Sequence, residues 1–304
     1  MRGRTYFEKN HPFCLTGIYS EDLSLLEEKE FGIIHRFIAW KDGFPSGFAS
    51  GVPEGSLLMI SWEPYIEDFE EESILPLIAG GKYDELIKRT AAEVREYSKP
   101  VLIRWGHEMN GDWYPWAGVN NENSPDNYIS SFRRIVNIFQ ETDALNARFI
   151  FSVNYEDVPG KSFNRFENYY PGSEYADFLG LSVYNWGDTL KWGEGFRERS
   201  RWRSPRRIIS PAYERLIRMD PDKAILITET GSTSSGGDKK KWMRSFFRLL
   251  KRRFRGVKAF VWFDIAKETD WGYTDDEELL EIYRSETADD FFRTSYLETG
   301  LFNE

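Results

Sequence analysis

Two glutamates stand where apolar, strand-like runs of this 304-residue chain end. Glu108 lies in the segment RWGHEMNGDWYPW at residues 104–116, and Glu229 lies in the segment TETG at residues 228–231. Cleaving a glycosidic bond requires one carboxylic acid to protonate the departing oxygen and one carboxylate to attack the anomeric carbon or to activate water. The residue types and their places in the chain therefore indicate a two-carboxylate glycosidase.

The remaining strand ends are rich in aromatic residues. A sugar presents apolar faces edged by hydroxyl groups, so flat rings with polar groups between them are the expected lining of a sugar-binding cleft. The aromatic residues concerned are Trp62, Trp105, Trp113, Trp116, Tyr184, Trp186 and Trp262. Alternation along a strand also predicts that Arg104, Gly106 and Glu108 share one face, which puts a cation and a carboxylate in one polar pocket.

Each of these residues also has an ordinary structural interpretation. An acidic residue after a strand is more often a helix cap or a solvated loop residue than a catalyst. Glu63 and Asp264 could be such residues, or they could orient hydroxyl groups. A tryptophan at a strand end is more often part of the core or its rim, and His107 alone is more often a hydrogen-bonded structural histidine. Residue types alone therefore leave both interpretations open.

Other classes of site are poorly supported by the sequence. The histidines are His11, His35 and His107, and they lack the spacing of metal ligands. Neither the nucleophile elbow G-x-S-x-G nor the dinucleotide loop G-x-G-x-x-G occurs. The single cysteine, Cys14, lies in an apolar run and is predicted to be a core residue. We therefore expect neither a metal ion nor an organic cofactor.

The balance of charge argues against nucleic acid and against an anionic membrane as partners. The net charge is −10 at pH 7 and the basic residues are scattered, whereas phosphate binding needs a concentrated positive face. The basic run at residues 197–207 is predicted to be a solvated helix or loop. No stretch approaches the roughly 18–20 consecutive apolar residues that span a bilayer, and the first residues lack the apolar core of a secretion signal.

Alternating strands and helices are the elements that would position these side chains. Apolar runs predict strands at residues 13–19, 32–39, 56–62, 100–105, 148–153, 178–183, 224–228 and 257–263. Amphipathic segments between them predict helices, most clearly at residues 84–97, 125–140 and 238–254. This order predicts the α/β class and a (β/α)8 TIM barrel that forms a single domain over residues 1–304, with the tail at 275–304 as further helix.

The segment at residues 104–116 resembles the acid/base signature of glycoside hydrolase family 26. Further segments resemble the family along most of the chain, namely SWEP at 61–64, YYPG at 169–172, GLSVYNW at 180–186, TETG at 228–231 and VWF at 261–263. Members of this family are retaining (β/α)8 glycosidases, mostly endo-β-1,4-mannanases, with mixed-linkage β-glucanases (lichenases) and β-1,3-xylanases beside them. The resemblance implies the same fold and reaction type here.

The resemblance also implies roles for individual polar residues. Glu108 would be the acid/base and Glu229 the nucleophile. Tyr184 would hydrogen-bond the nucleophile and hold it deprotonated. His107 would bind sugar hydroxyls beside the scissile bond, and Arg104 would support the polar network beneath the two glutamates.

The resemblance assigns sugar contacts to the other selected residues. Trp262 would form the sugar platform at subsite −1, and Trp113 would line the site near the acid/base. Asn154 and Trp62 would be further lining residues. The segment DWYPW at residues 112–116 departs from the SWFWW of many family mannanases and looks closer to the glucanase-type branches, which leaves the preference for mannan open.

The function implied in this way is endo-hydrolysis, with retention, of β-1,4 linkages in plant polysaccharides. Either β-mannan or mixed-linkage β-1,3-1,4-glucan fits, and a β-1,3-xylanase or a catalytically inactive carbohydrate-binding barrel stay as alternatives. The expected partner is a polysaccharide or oligosaccharide, and we expect a monomer. A polymeric substrate favours an extracellular location, while the missing secretion signal leaves a cytoplasmic one open.

Overall fold

The structure, a computed structural model, describes residues 13–22, 24–25, 31–66, 73–120, 123–193 and 196–302. The strands are β1 (Cys14–Leu15), β2 (Gly17–Ser20), β3 (Ile33–Ala39), β4 (Leu57–Glu63), β5 (Val101–Trp105), β6 (Ala147–Asn154), β7 (Phe178–Asn185), β8 (Leu190–Gly193), β9 (Phe196–Arg199), β10 (Ile225–Ser232), β11 (Val257–Asp264) and β12 (Phe292–Arg293). The helices are α1 (Ser46–Ser50), α2 (Ile74–Ala79), α3 (Asp84–Tyr97), α4 (Pro125–Glu141), α5 (Pro205–Met219), α6 (Lys239–Arg252) and α7 (Glu277–Thr287). In this part of the chain no helix has the length and apolar character needed to cross a membrane. His11 and the residues searched for a secretion signal lie outside the described residues.

Every predicted strand is present, with ends displaced by a few residues. The first predicted strand is interrupted at Thr16, and both of its halves, β1 and β2, pair in parallel with β11. Gly17 follows the interruption and runs very close to β11. A Cβ at this position would lie 2.8 Å from the carbonyl oxygen of Phe260, so a larger residue does not fit without a shift of the backbone.

Two segments differ from the prediction. The basic run at residues 197–207 is neither a helix nor a loop throughout, because β9 pairs antiparallel with β8 and α5 begins only at Pro205. The tail contains α7, but it also contains the short strand β12, which pairs in parallel with β1. Both corrections have one physical reason: short strands are stabilised by pairing with a partner strand, which local periodicity does not reveal.

The strands follow one another in a single hydrogen-bonded order, β10-β7-β6-β5-β4-β3-β2-β11-β1-β12, and β10 also pairs with β11. This second pairing closes the sheet into a barrel. With β1 and β2 counted as one interrupted strand, eight parallel strands with helices between them make up the barrel. The predicted (β/α)8 fold is confirmed.

The chain divides into two compact units. The first comprises the described parts of Met1–His35, Pro53–Ser56 and Gly180–Glu304, and the second comprises the described parts of Arg36–Val52 and Leu57–Leu179. The single domain over residues 1–304 stays a prediction.

Each unit packs aromatic side chains of its strands against a helix. In the second unit, Phe139 of α4 meets Phe149 of β6 edge to face, with ring centroids 5.2 Å apart. In the first unit, Phe246 and Phe247 of α6 meet Phe260 of β11 at 5.6 and 5.5 Å. Because side chains alternate along a strand, these contacts define which strand residues face the helices and which face the barrel interior.

Candidate active site

Glu108 stands in the loop after β5, in a backbone conformation that few residues adopt. Its φ is +55°, and Gly106 shortly before it has a φ of +53°. For a residue other than glycine, this left-handed conformation costs about 1–2 kcal/mol, so neighbouring contacts must impose it. The backbone N–H of Glu108 donates to the carbonyl oxygen of Ser152 (2.9 Å), and the carbonyl oxygen of Glu108 accepts from Gly111 (2.9 Å). Strain of this kind is common at functional sites.

Trp113 and Arg104 contact the carboxyl group of Glu108, a residue that is 7% exposed. The indole N–H of Trp113 donates to Oε2 at 2.9 Å, and Nη2 of Arg104 lies 3.8 Å from Oε1. Arg104 is fully buried and donates to the hydroxyl groups of Ser61 on β4 (2.8 Å) and Ser152 on β6 (2.9 Å). The structure thus brings Arg104, Trp113 and Glu108 together, and their roles toward a substrate stay predictions.

His107 and Glu63 form a second polar contact in the same unit. Nε2 of His107 lies 3.9 Å from the carboxyl group of Glu63, which ends β4. The imidazole is buried between aromatic rings, with Tyr114 at 4.7 Å and Phe37 at 5.7 Å. Burial, together with the negative charge of Glu63, raises the pKa of Tyr65 to about 12. The sugar-binding role of His107 stays a prediction.

Asn110 connects the loop that carries Glu108 to the loop that follows β6. Its amide NH2 group donates to the carbonyl oxygen of Asn154 (3.0 Å) and to the carboxyl group of Asp157 (3.0 Å), and its Oδ1 accepts from the backbone N–H of Asn154 (2.9 Å). The side chain of Asn154 donates to the carbonyl oxygen of Glu156 at 2.6 Å. The Asn154 side chain therefore stabilises its own loop. Its role as a sugar-lining residue stays a prediction.

We expect Asn110→Ala to lower the free energy of unfolding by roughly 1–3 kcal/mol, because it removes buried hydrogen bonds to Asn154 and Asp157. Urea titration at neutral pH measures the effect. The matched control is Asn168→Ala, since exposed Asn168 also donates to two carbonyl oxygens but water can replace it. The control should change stability by less than about 0.5 kcal/mol. Equal losses in the two variants would contradict a special role for Asn110.

Glu229, the other candidate catalytic glutamate, is also buried and lies within β10. It is 6% exposed, and the hydroxyl group of Tyr184, on β7, donates to its Oε2 at 2.5 Å. A short hydrogen bond of this kind fixes the orientation of the carboxyl group. The structure therefore brings Tyr184 and Glu229 together in the first unit, which is the placement that the family resemblance implies. Their catalytic roles stay predictions.

Further aromatic residues surround Tyr184. Phe263 stacks on Tyr19 with ring centroids 4.9 Å apart, and it meets Tyr184 edge to face at 5.8 Å. Trp271 lies 4.9 Å from Tyr184 and 4.9 Å from Trp186. Tyr19, Tyr184 and Trp186 are partly exposed and can present apolar faces to a sugar ring. Phe263 and Trp271 are not among the site residues predicted from the sequence: alternation along β11 points to Phe263, and nothing local points to Trp271.

Trp62 and Trp262 lie on the helix-facing sides of their strands. Trp62 is fully buried and packs against Phe139 of α4 at 5.9 Å. Trp262 is fully buried and packs against Phe246 of α6 at 5.9 Å. Because side chains alternate, the residue beside Trp262 that faces the other way is Phe263. The predicted lining role of Trp62 and the predicted platform role of Trp262 are therefore corrected: both are core residues.

Asp264 and Cys14 both have structural roles. The carboxyl group of Asp264 accepts from the backbone N–H groups of Tyr273 (2.6 Å) and Thr274 (3.1 Å), which closes the loop after β11. Cys14 is fully buried, and burial raises the pKa of its thiol far above the ordinary range, so it is unsuited to nucleophilic chemistry. Among the described residues, no group of three or more His, Cys, Asp or Glu side chains could hold a metal ion.

Known proteins resemble this chain in both sequence and fold. The model of glycosyl hydrolase family 26 matches residues 61–204, which include Glu108 and Tyr184. Endoglucanase H of Acetivibrio thermocellus is 36% identical over 264 residues, which are 85% of this chain and 28% of that protein. A mannan endo-1,4-beta-mannosidase of Bacillus subtilis is 27% identical over 163 residues, which are 48% of this chain and 41% of that protein. The chain thus spans less than half the length of these curated relatives.

A solved structure with the same fold extends the likeness over nearly the whole chain. A double mutant of the Cellulomonas fimi endo-beta-1,4-mannanase aligns with 96% of this chain and 74% of its own, with a TM-score of 0.68 and 17% identity. This likeness supports the barrel fold. Given the family match at residues 61–204 and the relative that is 36% identical, the chain belongs to glycosyl hydrolase family 26.

Proposed function

We propose that the chain is a retaining glycoside hydrolase in which Glu229 is the nucleophile and Glu108 the acid/base. The observation that carries the proposal is a pair of buried glutamates, each bound by an aromatic donor: Tyr184 donates to Glu229 at 2.5 Å and Trp113 donates to Glu108 at 2.9 Å. In a (β/α)8 barrel, catalytic residues gather at the carboxyl ends of the strands. The proposal accordingly requires the two carboxyl groups to lie roughly 5–5.5 Å apart.

The proposed reaction is a double displacement at the anomeric carbon. In the first step the Glu229 carboxylate attacks this carbon, the bond to the departing sugar oxygen breaks, and Glu108 gives its proton to that oxygen. The products are a covalent glycosyl-enzyme and an ionised Glu108. In the second step Glu108 takes a proton from water, the water oxygen attacks the same carbon, and Glu229 is released. Each step inverts the configuration, so the overall reaction retains it.

The contacts of both glutamates suit this division of roles. The hydrogen bond from the Tyr184 hydroxyl group holds the Glu229 carboxyl group in one orientation, as a nucleophile requires. Arg104 brings a fixed positive charge to 3.8 Å from Glu108. A neighbouring cation stabilises the carboxylate that Glu108 becomes after donating its proton, while the hydrogen bond from Trp113 keeps the group in one orientation.

We propose mixed-linkage β-1,3-1,4-glucan as the substrate, cleaved internally at β-1,4 linkages. The relative that matches at the higher identity and over more of the chain is named an endoglucanase, while the mannan-hydrolysing relative matches at lower identity over a shorter stretch. The segment DWYPW at residues 112–116 points the same way, since many family mannanases have SWFWW there. β-mannan is the alternative within the same reaction type.

A panel of three polysaccharides tests the substrate. The chain is incubated with mixed-linkage β-glucan, β-mannan and β-1,3-xylan, and a Glu229→Ala preparation serves as the control for contaminating enzymes. We expect β-glucan to be preferred in kcat/KM by roughly tenfold or more, because a pocket shaped for one sugar discriminates by this order. Early products should span several chain lengths, as internal cleavage requires. Faster hydrolysis of mannan would contradict the substrate proposal. Inactivity on all three polysaccharides would contradict the proposed glycoside hydrolase activity.

A further inference from the structure

Lys239 is a buried lysine that the proposed reaction does not use. It is 6% exposed and is the first residue of α6, directly after the N-cap residue Asp238. Its ammonium group donates to the carbonyl oxygens of Asp270 and Gly272, the latter at 2.6 Å, and lies 3.7 Å from the Asp270 carboxyl group. Burying an ammonium group costs free energy unless its N–H groups find acceptors. Here they find acceptors that lie in one loop.

The two carbonyl groups that Lys239 binds stand on either side of Trp271, in the loop after β11. Trp271 is 1% exposed, and its ring lies 4.9 Å from that of Tyr184, whose hydroxyl group donates to Glu229. The space around Trp271 is tightly filled, since a Cβ added to Gly231 would lie 3.2 Å from its ring. A shift of the Trp271 backbone would therefore move the surface against which Tyr184 rests.

Asp270 ties the same loop to the end of β10, the strand that carries Glu229. Its carboxyl group accepts from the hydroxyl group of Thr233 (2.5 Å) and from the backbone N–H and hydroxyl group of Ser234 (3.1 and 2.6 Å). Burial alone would raise the pKa of Asp270, but the hydrogen bonds from Ser234 and Thr233 and the charge of Lys239 lower it to about 2. Asp270 is therefore ionised beside the ammonium group at neutral pH.

Lys239 also faces a cavity of about 600 Å³ that contains further negative charge. Asp264, Asp275 and Asp276 line this cavity together with Lys239 and Asp270. Removing the lysine charge would leave the two carbonyl oxygens and the Asp270 carboxylate without their cation. The loop would then be able to move toward other donors or toward water.

We propose that Lys239 is a positioning residue for the nucleophile. By binding the carbonyl groups on both sides of Trp271, it fixes the ring that supports Tyr184, and Tyr184 in turn orients the Glu229 carboxylate. In this proposal Lys239 acts on the nucleophile through Trp271 and Tyr184. This inference rests on the proposed function of Glu229 as the nucleophile.

A double-mutant cycle between Lys239→Met and Tyr184→Phe tests the inference, with kcat and KM measured on mixed-linkage β-glucan. We expect Lys239→Met to lower kcat roughly 10- to 100-fold, as small misplacements of reacting groups do, and to change KM less than about threefold. In the Tyr184→Phe background the same substitution should cost less than about twofold, because the hydroxyl group that it positions is already absent. Lys239→Gln, which keeps a donor without the charge, is carried through the same cycle in case the methionine variant does not fold.

Independent effects of the Lys239 and Tyr184 substitutions on kcat would overturn the inference. If the losses in kcat multiply in the double variant, or if kcat stays unchanged in Lys239→Met, the lysine has only a structural role. Lys241→Met is the matched control, because the Lys241 side chain is 84% exposed and pairs locally, with Asp238 at 3.2 Å; it should leave kcat unchanged. Glu229→Ala is assayed in parallel. Retained activity in that variant would refute the proposed function, whereas an inactive Glu229→Ala with a multiplicative cycle would refute the inference alone.

Discussion

Glu229→Ala is expected to lower kcat by roughly 10⁴- to 10⁶-fold, because a nucleophile that forms a covalent intermediate has no substitute within the site. The protein should remain folded, since the change removes one carboxylate and its hydrogen bond from Tyr184. Adding azide should restore part of the activity on an aryl β-cellobioside. Azide fits the space that the carboxylate leaves, attacks the same face of the sugar and releases a glycosyl azide of inverted configuration.

Glu214→Ala is the matched control for this experiment. Glu214 lies on α5 in the same unit, is exposed, and pairs with Arg253 at 3.5 Å, so its removal should leave kcat unchanged. The assignment of the nucleophile would be contradicted if Glu229→Ala kept more than about 1% of the activity of the unaltered chain. It would also be contradicted if azide rescue gave a product of retained configuration.

The second large effect is expected at Glu108, and its size should depend on the leaving group. On polysaccharide, Glu108→Ala should lower kcat/KM roughly 10²- to 10⁴-fold, because the departing sugar oxygen is a poor leaving group without a proton. On an aryl glycoside with an acidic phenol as the leaving group, the first step needs no acid and should keep most of its rate. The glycosyl-enzyme should then accumulate, because no base activates water, and a burst of phenol should precede slow turnover.

Two comparisons make the Glu108 prediction specific. Glu85 is an exposed glutamate of α3 in the same unit and pairs with Lys88. Glu85→Ala should therefore change the rate of hydrolysis of neither substrate. Glu108→Gln keeps the shape of the side chain but cannot donate the proton, so it should behave as Glu108→Ala does. A variant with equal losses on polysaccharide and on the aryl glycoside would show that Glu108 acts in binding or folding and not in proton transfer.

The fold is predictable from the sequence because its main signals are local. Buried parallel strands give continuous apolar runs, and helix starts carry capping residues. Ser124, for example, accepts from the backbone N–H of Asn127, and Pro125 is the first residue of the helix. The hairpin of β8 and β9 is not predictable in this way. Its two strands pair with each other, which local sequence periodicity does not reveal, and the charged run at 197–207 resembles a solvated segment.

The candidate site is predictable where residue type and position carry the information. Glu108 and Glu229, with their donors Trp113 and Tyr184, all stand in segments that the sequence singles out. The errors at Trp62 and Trp262 come from choosing large aromatic residues without deciding which side of the strand they occupy. Alternation decides this once a single inward residue is known, such as Ser61, which accepts from Arg104.

The supporting residues cannot be found from the sequence, because their role depends on long-range contacts. Trp271 lies in a loop with no strand or helix pattern, and its importance comes from its contact with Tyr184. Lys239 resembles any lysine in the first turn of a helix, and only the carbonyl oxygens of Asp270 and Gly272 set it apart. Residues that act through others are visible only when the contacts are known.

The anomeric configuration of the first product tests the central claim most directly. Proton NMR spectra recorded during hydrolysis of mixed-linkage β-glucan, before mutarotation is complete, distinguish the α and β forms of the new reducing end. If the carboxyl groups of Glu108 and Glu229 face one sugar ring at retaining distance, the β form appears first and the α form follows at the rate of spontaneous mutarotation. If the α form appears first, water attacks directly, and Glu229 is not a nucleophile.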